Sequence, residues 1–207
     1  KVVSNQASRP LDDVSIRDAV QKCLKEDPKN GDCKNYGLAS NFGVLSQWDV
    51  SQVTDMSALF EGQDVFNGDV TEWDVSSVED MSFMFSDCQA FDQDISNWVV
   101  SKVRDMSFMF SNSRKTRTIL ESEIDPVLQI NMYVSVDSFV RTSFNRPLAS
   151  WDTSEVIDMS GMFKNADEFN QDLNTWDTGK VRSFSKMFEN ARYFNGNITN
   201  WNTQSAV

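Results

Sequence analysis

The stretch from Trp73 to Trp98, WDVSSVEDMSFMFSDCQAFDQDISNW, decides the fold, because the chain repeats it with few changes. All tryptophans of the chain fall at one phase of this unit: Trp48, Trp73, Trp98, Trp151, Trp176 and Trp201. Their spacings are 25, 25, 53, 25 and 25 residues. A fixed period of roughly 20–50 residues is typical of stacked supersecondary units. The sequence therefore predicts a repeat protein in which the tryptophans form a structural core.

Other apolar positions repeat at the same phase and divide each unit into two halves. Valine stands five residues after each of the first five tryptophans, and a Met-Phe or Leu-Phe pair follows six residues later. Within residues 76–88 the apolar positions have the i, i+3, i+7 spacing of a helix face, which predicts a short helix. Residues 91–98 are too few for a second helix and predict a short strand with a turn. The predicted fold class is therefore an α/β repeat, in which each unit contains one short strand and one short helix.

Residues 1–40 lack the repeat, and we expect them to form an N-terminal cap. A helix is predicted from Leu11 onward, because the apolar residues up to position 24 fall on one helical face. Asp13 or Ser15 is the expected N-cap of this helix. A stacked array needs a terminal unit of this kind, because the apolar face of its first repeat is otherwise exposed.

The three cysteines have two predicted roles. Cys23 and Cys33 flank the turn cluster DPKNG at 27–31. We expect a disulfide between them, which would contribute roughly 2–3 kcal/mol to stability; two reduced cysteines are the alternative. Cys88 occupies a position that holds Ala166 in a later unit, so we expect a buried free thiol. A reactive or intermolecular cysteine is the alternative at that position.

The array, residues 41–207, contains one interruption. The interval from Trp98 to Trp151 equals one unit plus 28 residues, and segment 114–141 carries none of the marks of the repeat. Three interpretations stay open: a loop grafted onto one face of the array, a decayed repeat, or an artefact of the coding sequence. We expect an exposed excursion. Because the last residues begin another unit, we also expect the natural protein to continue beyond Val207.

Composition excludes several classes of function. The net charge is −12, from 31 acidic and 19 basic residues, so the phosphates of a nucleic acid would be repelled. The chain has no histidine, which removes Ser-His-Asp and Cys-His catalysis and His-ligated zinc. No apolar run approaches the roughly 18 residues that a membrane span needs. We therefore expect no enzyme activity, no cofactor, no nucleic acid partner and no membrane span.

The repeated string W-D-V/T-S-x-V-x-D-M-S-x-M-F, followed by F-N-x-D-I/L, resembles the repeat of the BspA-like leucine-rich-repeat surface proteins. The same unit is found in a surface-lipoprotein repeat family of unknown function. The resemblance covers residues 41–113 and 142–207. It implies a right-handed solenoid like that of leucine-rich-repeat proteins, secretion or surface display, and an adhesive or recognition role. The positions that depart from the family pattern, besides the insertion, are Val99, Pro147, Ser183 and Phe184.

The repeat also stacks aspartates in two columns. The first contains Asp55, Asp80, Asp105 and Asp158, and the second contains Asp69, Asp94 and Asp172. Like charges about 5 Å apart cost on the order of 1 kcal/mol per pair even in water, so an interaction must offset them. Ca²⁺ or a cationic partner would do so, but the spacing gives no compact oxygen cage. We therefore favour carboxylates that accept backbone N–H groups in turns, and we predict no metal site.

These features lead to two hypotheses of function. The first is a non-catalytic cell-surface or secreted module for adhesion or recognition, whose partner is an extracellular protein or glycan. The second is a structural component of an extracellular or cell-wall assembly, which would self-associate. Both place the chain outside the cell or on its surface. The sequon at Asn197 is a possible glycosylation site if the source is eukaryotic.

Overall fold

The computed structural model describes residues 9–113 and 142–207. All helices of these residues lie near the N terminus: α1 (Ser15–Glu26), α2 (Lys34–Ser40) and a 3-10 helix (Leu45–Gln47). None of these helices has the length and apolar character that crossing a bilayer requires. The described residues contain no β-strand, only isolated parallel bridges, which join the first aspartate column from Asp55 to Asp158 and continue to Ser183. The insertion 114–141 lies outside the described residues.

The predicted strand-plus-helix unit is wrong. Residues 76–88 form successive turns rather than a helix, and residues 91–98 form no strand. Backbone hydrogen bonds in the turns span three residues, as when the N–H of Met84 donates to the carbonyl of Met81 at 3.2 Å. Phe83, between them, has a φ of 57°, which no α-helix tolerates. Because three-residue turns also repeat apolar side chains at i and i+3, the sequence pattern imitates a helix face. The described residues therefore do not form an α/β solenoid of the leucine-rich-repeat type.

Consecutive 25-residue units, which we call coils, are joined by a backbone ladder. Coils 1 and 2 comprise residues 49–73 and 74–98, coil 3 comprises 99–113 with 142–151, and coils 4 and 5 comprise 152–176 and 177–201. Alternate N–H groups of one coil donate to carbonyls of the next, as Met56 does to Asp80 at 2.9 Å. A second hydrogen bond runs in the opposite direction: the N–H of Glu79 in coil 2 donates to the carbonyl of Thr54 in coil 1 at 2.8 Å. The same bonds recur in each coil, so the coils stack in register.

Two columns of phenylalanines fill the centre of the stack. In the first column neighbouring rings lie 5.5–5.8 Å apart: Phe60, Phe85, Phe110, Phe163 and Phe188. In the second they lie 5.9–6.1 Å apart: Phe66, Phe91, Phe144, Phe169 and Phe194. Stacked aromatic rings of this kind bury large apolar areas and supply most of the core. The core therefore runs along the whole array rather than at one centre.

The tryptophans pack beside these columns. Trp48, Trp73, Trp98, Trp151 and Trp176 are 2–4% exposed, and Trp201 is partly buried. The indole N–H of Trp73 donates to the carbonyl of Leu45 in the 3-10 helix, and from Trp98 onward each indole N–H donates to a carbonyl of the preceding coil, as Trp98 does to Val70 at 3.1 Å. A buried indole N–H without such a partner would be costly. From Trp98 onward each tryptophan thus joins two coils by packing and by a hydrogen bond.

The cap closes the open edge of coil 1 with one cation, Arg17 of α1, and one anion, Asp13, which precedes the helix. The guanidinium of Arg17 donates to the carbonyl of Ser57 at 2.6 Å and pairs with the carboxylate of Asp55 at 2.9 Å. The carboxylate of Asp13 accepts the N–H groups of Thr54 at 2.7 Å and of Asp55 at 3.0 Å. These side chains occupy the places that a preceding coil would fill. The cap therefore satisfies both ladder directions at this end of the array.

The start of α1 differs from the sequence prediction in one detail. Asp13, one of the two expected N-caps, caps coil 1 instead of the helix. Asp12 and Ser15 cap the helix reciprocally, because each backbone N–H donates to the side-chain oxygen of the other residue at 2.8 Å. This arrangement is that of a capping box.

The cap contains the predicted disulfide between Cys23 and Cys33, whose Cα atoms lie 5.0 Å apart. Both cysteines are buried. Cys88 is a free cysteine, 3% exposed, and its thiol donates to the carbonyl of Phe60 at 2.8 Å. The bridge joins α1 to the residue before α2 and so holds the two helices of the cap together.

Candidate functional site

The first aspartate column organises turns on the surface of the array. Each carboxylate accepts the N–H of the serine two residues later, at 2.7–2.8 Å: Asp55 from Ser57, Asp80 from Ser82, Asp105 from Ser107 and Asp158 from Ser160. Such Asx turns are a common role for aspartate. Among residues 9–113 and 142–207, no group of three or more His, Cys, Asp or Glu side chains could hold a metal ion. These bonds account for the repetition of the aspartates.

In the second aspartate column Asp69 and Asp94 make the same turn, whereas Asp172 bonds to the next coil at the sequon. Its carboxylates accept backbone N–H groups at 2.7–3.1 Å: Asp69 from Thr71, Asp94 from Ser96 and Asp172 from Asn197. The side-chain oxygen of Asn197 accepts the N–H of Thr199 at 3.0 Å. Asn197 is exposed, so the structure places the sequon on a surface turn.

Two carboxylates at the edge of coil 1, Asp55 of the first column and Asp13 of the cap, have pKa values lowered by their partners. Burial raises the pKa of Asp55, but the hydrogen bonds from Ser57 and the guanidinium of Arg17 outweigh burial and lower that pKa. Burial likewise raises the pKa of Asp13, and the amides of Asp55 and Thr54 outweigh it, so the pKa is again lowered. In the described part of the chain, Arg17 is the only cation that pairs with the first column.

Two stacked phenylalanines, of which only the first is exposed, lie on coils 2 and 3, three residues after Asp80 and Asp105 respectively. Phe83 is 36% exposed and Phe108 is half-buried. Their rings are stacked, with centroids 4.8 Å apart and an angle of 11° between the planes. The Phe108 ring also lies over Gly161, where a Cβ atom would overlap it. We call Phe83 and Phe108 the stacked phenylalanine pair.

The backbone at this pair is strained. Phe83 and Phe108 have φ values of 57° and 56°, in the left-handed region. For a bulky residue this conformation costs roughly 1–2 kcal/mol relative to a right-handed one. The equivalent position in other coils holds Ala58, Gly161 and Lys186, so the turn does not require a large side chain. The same φ occurs at Ala58 (54°) and Lys186 (58°), so the left-handed conformation belongs to the turn in every coil and does not single out this pair.

Sequence reasoning missed this pair. The pattern W-D-V-S-x-V-x-D-M-S-x-M-F leaves its position undefined, and a phenylalanine between two methionines suggests one more core residue. The signal that could have found it is the difference between the coils in the residue at this position. A position that accepts Ala58, Gly161 and Lys186 is not a core position, so phenylalanines there are surface residues.

A cleft of about 350 Å³ lies between α1 and coil 1. Its lining comprises Arg17, Val20, Gln21, Leu24 and Lys25 of α1 and Ala58, Leu59, Glu61 and Gln63 of coil 1. Val20, Leu24 and Leu59 are at most 8% exposed, whereas the polar residues carry both signs of charge. The charges of these side chains therefore specify no single class of ligand.

Comparison with known proteins identifies a family but no individual relative. No curated protein and no solved structure matches the chain. One family model, DUF285, described as a Mycoplasma protein of unknown function, matches residues 33–139 and 134–207. The two matches together span the array and the end of the cap. The chain therefore belongs to the DUF285 family.

Proposed function

We propose that the chain is a non-catalytic recognition module, secreted or displayed on a cell surface, that binds an extracellular protein or glycan through the sides of its array. The observation that carries this proposal is a contrast between adjacent positions. The buried position five residues after each of the first five tryptophans is valine, with 0% exposure: Val53, Val78, Val103, Val156 and Val181. The next position is exposed and differs from coil to coil: Thr54, Glu79, Arg104, Ile157 and Arg182. A constant framework that carries varied surface residues suits recognition.

An extracellular setting is supported by the cap. A disulfide such as Cys23–Cys33 persists in oxidising compartments and is rare in a reducing cytosol. The resemblance of the repeat to BspA-like surface proteins points the same way, although DUF285 itself is described as of unknown function.

The capped edge favours recognition over end-to-end assembly. A second copy that stacked against coil 1 would have to displace Arg17 from Ser57 and Asp13 from Thr54. Capping the edge of a repeat array in this way keeps it from pairing with other chains. The structural-assembly hypothesis therefore has no supporting contact at this end.

The test is capture by the displayed chain. The chain is attached to beads and exposed to a glycan array and to a library of extracellular proteins, while its mass is measured in solution. The matched variant replaces the exposed positions Glu79, Arg104, Ile157 and Arg182 with serine, which leaves the valines unchanged. We expect saturable capture by a monomer, and loss of capture by the variant at an unchanged melting temperature. Self-association at micromolar concentration without capture would overturn the proposal.

A further inference from the structure

We infer that the cleft between α1 and coil 1 binds a short extended peptide segment of a partner protein, through the backbone carbonyls of Leu59 and Glu61. Both residues line the cleft, and their carbonyls belong to the part of the coil 1 edge that the cap leaves open. The cleft lies at the capped end of the array, apart from the varied positions on its sides. The inference therefore goes beyond the proposed function and does not depend on it.

The ladder between coils uses four acceptor carbonyls in each coil. In coil 2 each of the four accepts an N–H group of coil 1 at 2.8–3.0 Å: Asp80, Ser82, Met84 and Ser86. The same four positions of coils 3, 4 and 5 accept N–H groups of the preceding coil. Because the coils stack in register, the equivalent carbonyls of coil 1 point away from coil 2 and towards α1. Unpaired backbone groups at such an edge are a template for a further extended segment.

The cap covers only half of this edge. The guanidinium of Arg17 donates to the carbonyl of Ser57 at 2.6 Å and to that of Asp55 at 3.5 Å. The carbonyls of Leu59 and Glu61, which complete the set of four, accept no hydrogen bond from the residues that the structure describes. Since these two residues also line the cleft, the unused acceptors and the cavity coincide.

The contact between coils 1 and 2 shows which ligand fits two such carbonyls. There the N–H groups that donate to Met84 and Ser86 are two residues apart, on a segment that runs parallel to coil 2. An extended peptide presents N–H groups at this spacing, and such backbone bonds hold peptides on exposed edges. The cavity of about 350 Å³ lies near the small end of the roughly 300–1,000 Å³ that is usual for ligand sites. It therefore suits a few residues, whereas a whole coil is excluded by α1.

The side chains of the cleft favour a neutral peptide backbone over a cationic ligand. Arg17 and Lys25 carry two positive charges, against the one carboxylate of Glu61, so a further cation gains little there. Val20 and Leu24 of α1 add an apolar wall. A saccharide hydroxyl can also donate hydrogen bonds, so the test includes saccharides.

The test exposes the unmodified chain to an array of N-acetylated pentapeptide amides, with maltose and chitobiose as saccharide probes. The peptide that binds best is then synthesised with an N-methyl group at one amide at a time, because methylation removes the donor. The variant Gln21→Trp places an indole in the cleft from an exposed position of α1. Gln52→Trp is the matched control, since Gln52 is exposed on coil 1 and does not line the cleft.

We expect saturable binding of a peptide, weakened by about tenfold or more when either of two amides two residues apart is methylated, but not when the amide between them is. In NMR spectra the carbonyl carbon resonances of Leu59 and Glu61 should shift on binding, while those of Asp55 and Ser57 should not. Gln21→Trp should weaken binding by about tenfold or more, and Gln52→Trp should leave it unchanged. Both variants should keep the melting temperature of the unmodified chain.

Absence of peptide binding would overturn the inference, as would tighter binding of a saccharide or equal peptide affinity for Gln21→Trp and the unmodified chain. Carbonyl shifts confined to other residues would place the peptide elsewhere and would also overturn it. The variant with serine at the exposed side positions should bind the peptide as the unmodified chain does. Failure of this inference is therefore distinguishable from failure of the proposed function, which concerns capture through those side positions.

Discussion

The indole N–H of Trp151 donates to the backbone carbonyl of Ile95 at 3.1 Å, although 56 residues separate them. Trp98 makes the same bond to Val70 at the same distance across 28 residues. The difference between the two separations is the length of segment 114–141. The stack therefore continues in register from coil 2 to the second part of coil 3 as if that segment were absent.

Both flanks of segment 114–141 lie against coil 2. The N–H of Ser113 donates to the carboxylate of Asp87 at 2.5 Å, and the N–H of Ser143 donates to the carbonyl of Gln89 at 2.9 Å. These partners are two residues apart in sequence. Coil 3 is therefore held closed by its neighbour on either side of the insertion.

We predict that deletion of residues 114–141 yields a folded protein with a 25-residue interval between Trp98 and the next tryptophan. The free energy of unfolding should be unchanged or raised by roughly 1–3 kcal/mol, because the entropy of closing a long loop is no longer lost. Urea denaturation monitored by tryptophan fluorescence measures it.

The matched control for this deletion also removes 28 residues, but from 118 to 145. It takes away Phe144, whose ring lies 4.1 Å from that of Phe110. This variant should unfold at a lower urea concentration than the variant that lacks 114–141. If the variant that lacks 114–141 is itself unfolded, the expectation of an exposed excursion is wrong and a decayed repeat is favoured.

The sequence predicts the repeat and its buried residues because burial depends on spacing. Trp, Val and Phe at fixed phase must face inward in every coil, whatever the backbone between them does, and Val78 and Phe85 are 0% and 2% exposed. The secondary structure could not be obtained the same way. Turns with three-residue hydrogen bonds and helices both repeat apolar side chains at i and i+3. The positive φ values at Phe83 and Phe108 identify turns rather than a helix, and phenylalanine is not a residue type from which a positive φ is expected.

The candidate surface was only partly accessible to sequence reasoning. The interpretation of the aspartates as turn acceptors matches the bonds that Asp80 and Asp105 make. Hydrophobicity alone could not distinguish the stacked phenylalanine pair from core residues. Phe83 and Met84 are adjacent and both apolar, but only Met84 is buried.

We predict that replacing Trp98 with alanine lowers the free energy of unfolding by about 3–5 kcal/mol, through loss of a large buried side chain. The lost indole also removes one of the two hydrogen bonds to the carbonyl of Val70, which still accepts the backbone N–H of Trp73 at 3.2 Å. Trp201→Ala is the matched control, because Trp201 is only partly buried and should cost less. Calorimetric melting of both variants measures the difference. Equal losses would show that position in the stack does not matter.

We predict that the native chain has no thiol that reacts with Ellman's reagent. Cys23 and Cys33 are bonded, and Cys88 is 3% exposed with its pKa raised by burial, so its thiolate is scarce. One thiol should react in urea and three after reduction, and the variant C88A should lower each of these counts by one. Rapid labelling of the native chain would contradict the burial of Cys88. A bridged peptide containing Cys88 on mass mapping would contradict the disulfide.

We predict that stability depends on pH through Asp13. Its pKa in the folded chain lies below the usual 3.8, because the amides of Asp55 and Thr54 outweigh the opposing effect of burial. A carboxylate with a lowered folded pKa stabilises the fold fully above its unfolded pKa, and that contribution is lost as pH falls through the folded pKa. The urea midpoint should therefore stay nearly constant from about pH 7 to pH 5 and fall below about pH 4.

The variant D13N isolates this contribution, because its amide does not titrate in this range. Its oxygen can still accept both N–H groups, as Oδ1 does in the unmodified chain, but the negative charge and the acceptor of the Thr54 hydroxyl are lost. D13N should have a lower urea midpoint than the unmodified chain at neutral pH and a smaller further loss on acidification. D32N is the control, since it changes the net charge equally at an exposed position of the cap. If D13N and D32N show the same profile from neutral to acid pH, the carboxylate of Asp13 does not hold the edge of coil 1. The contribution of the cap would then have to come from Arg17 and the apolar face of α1.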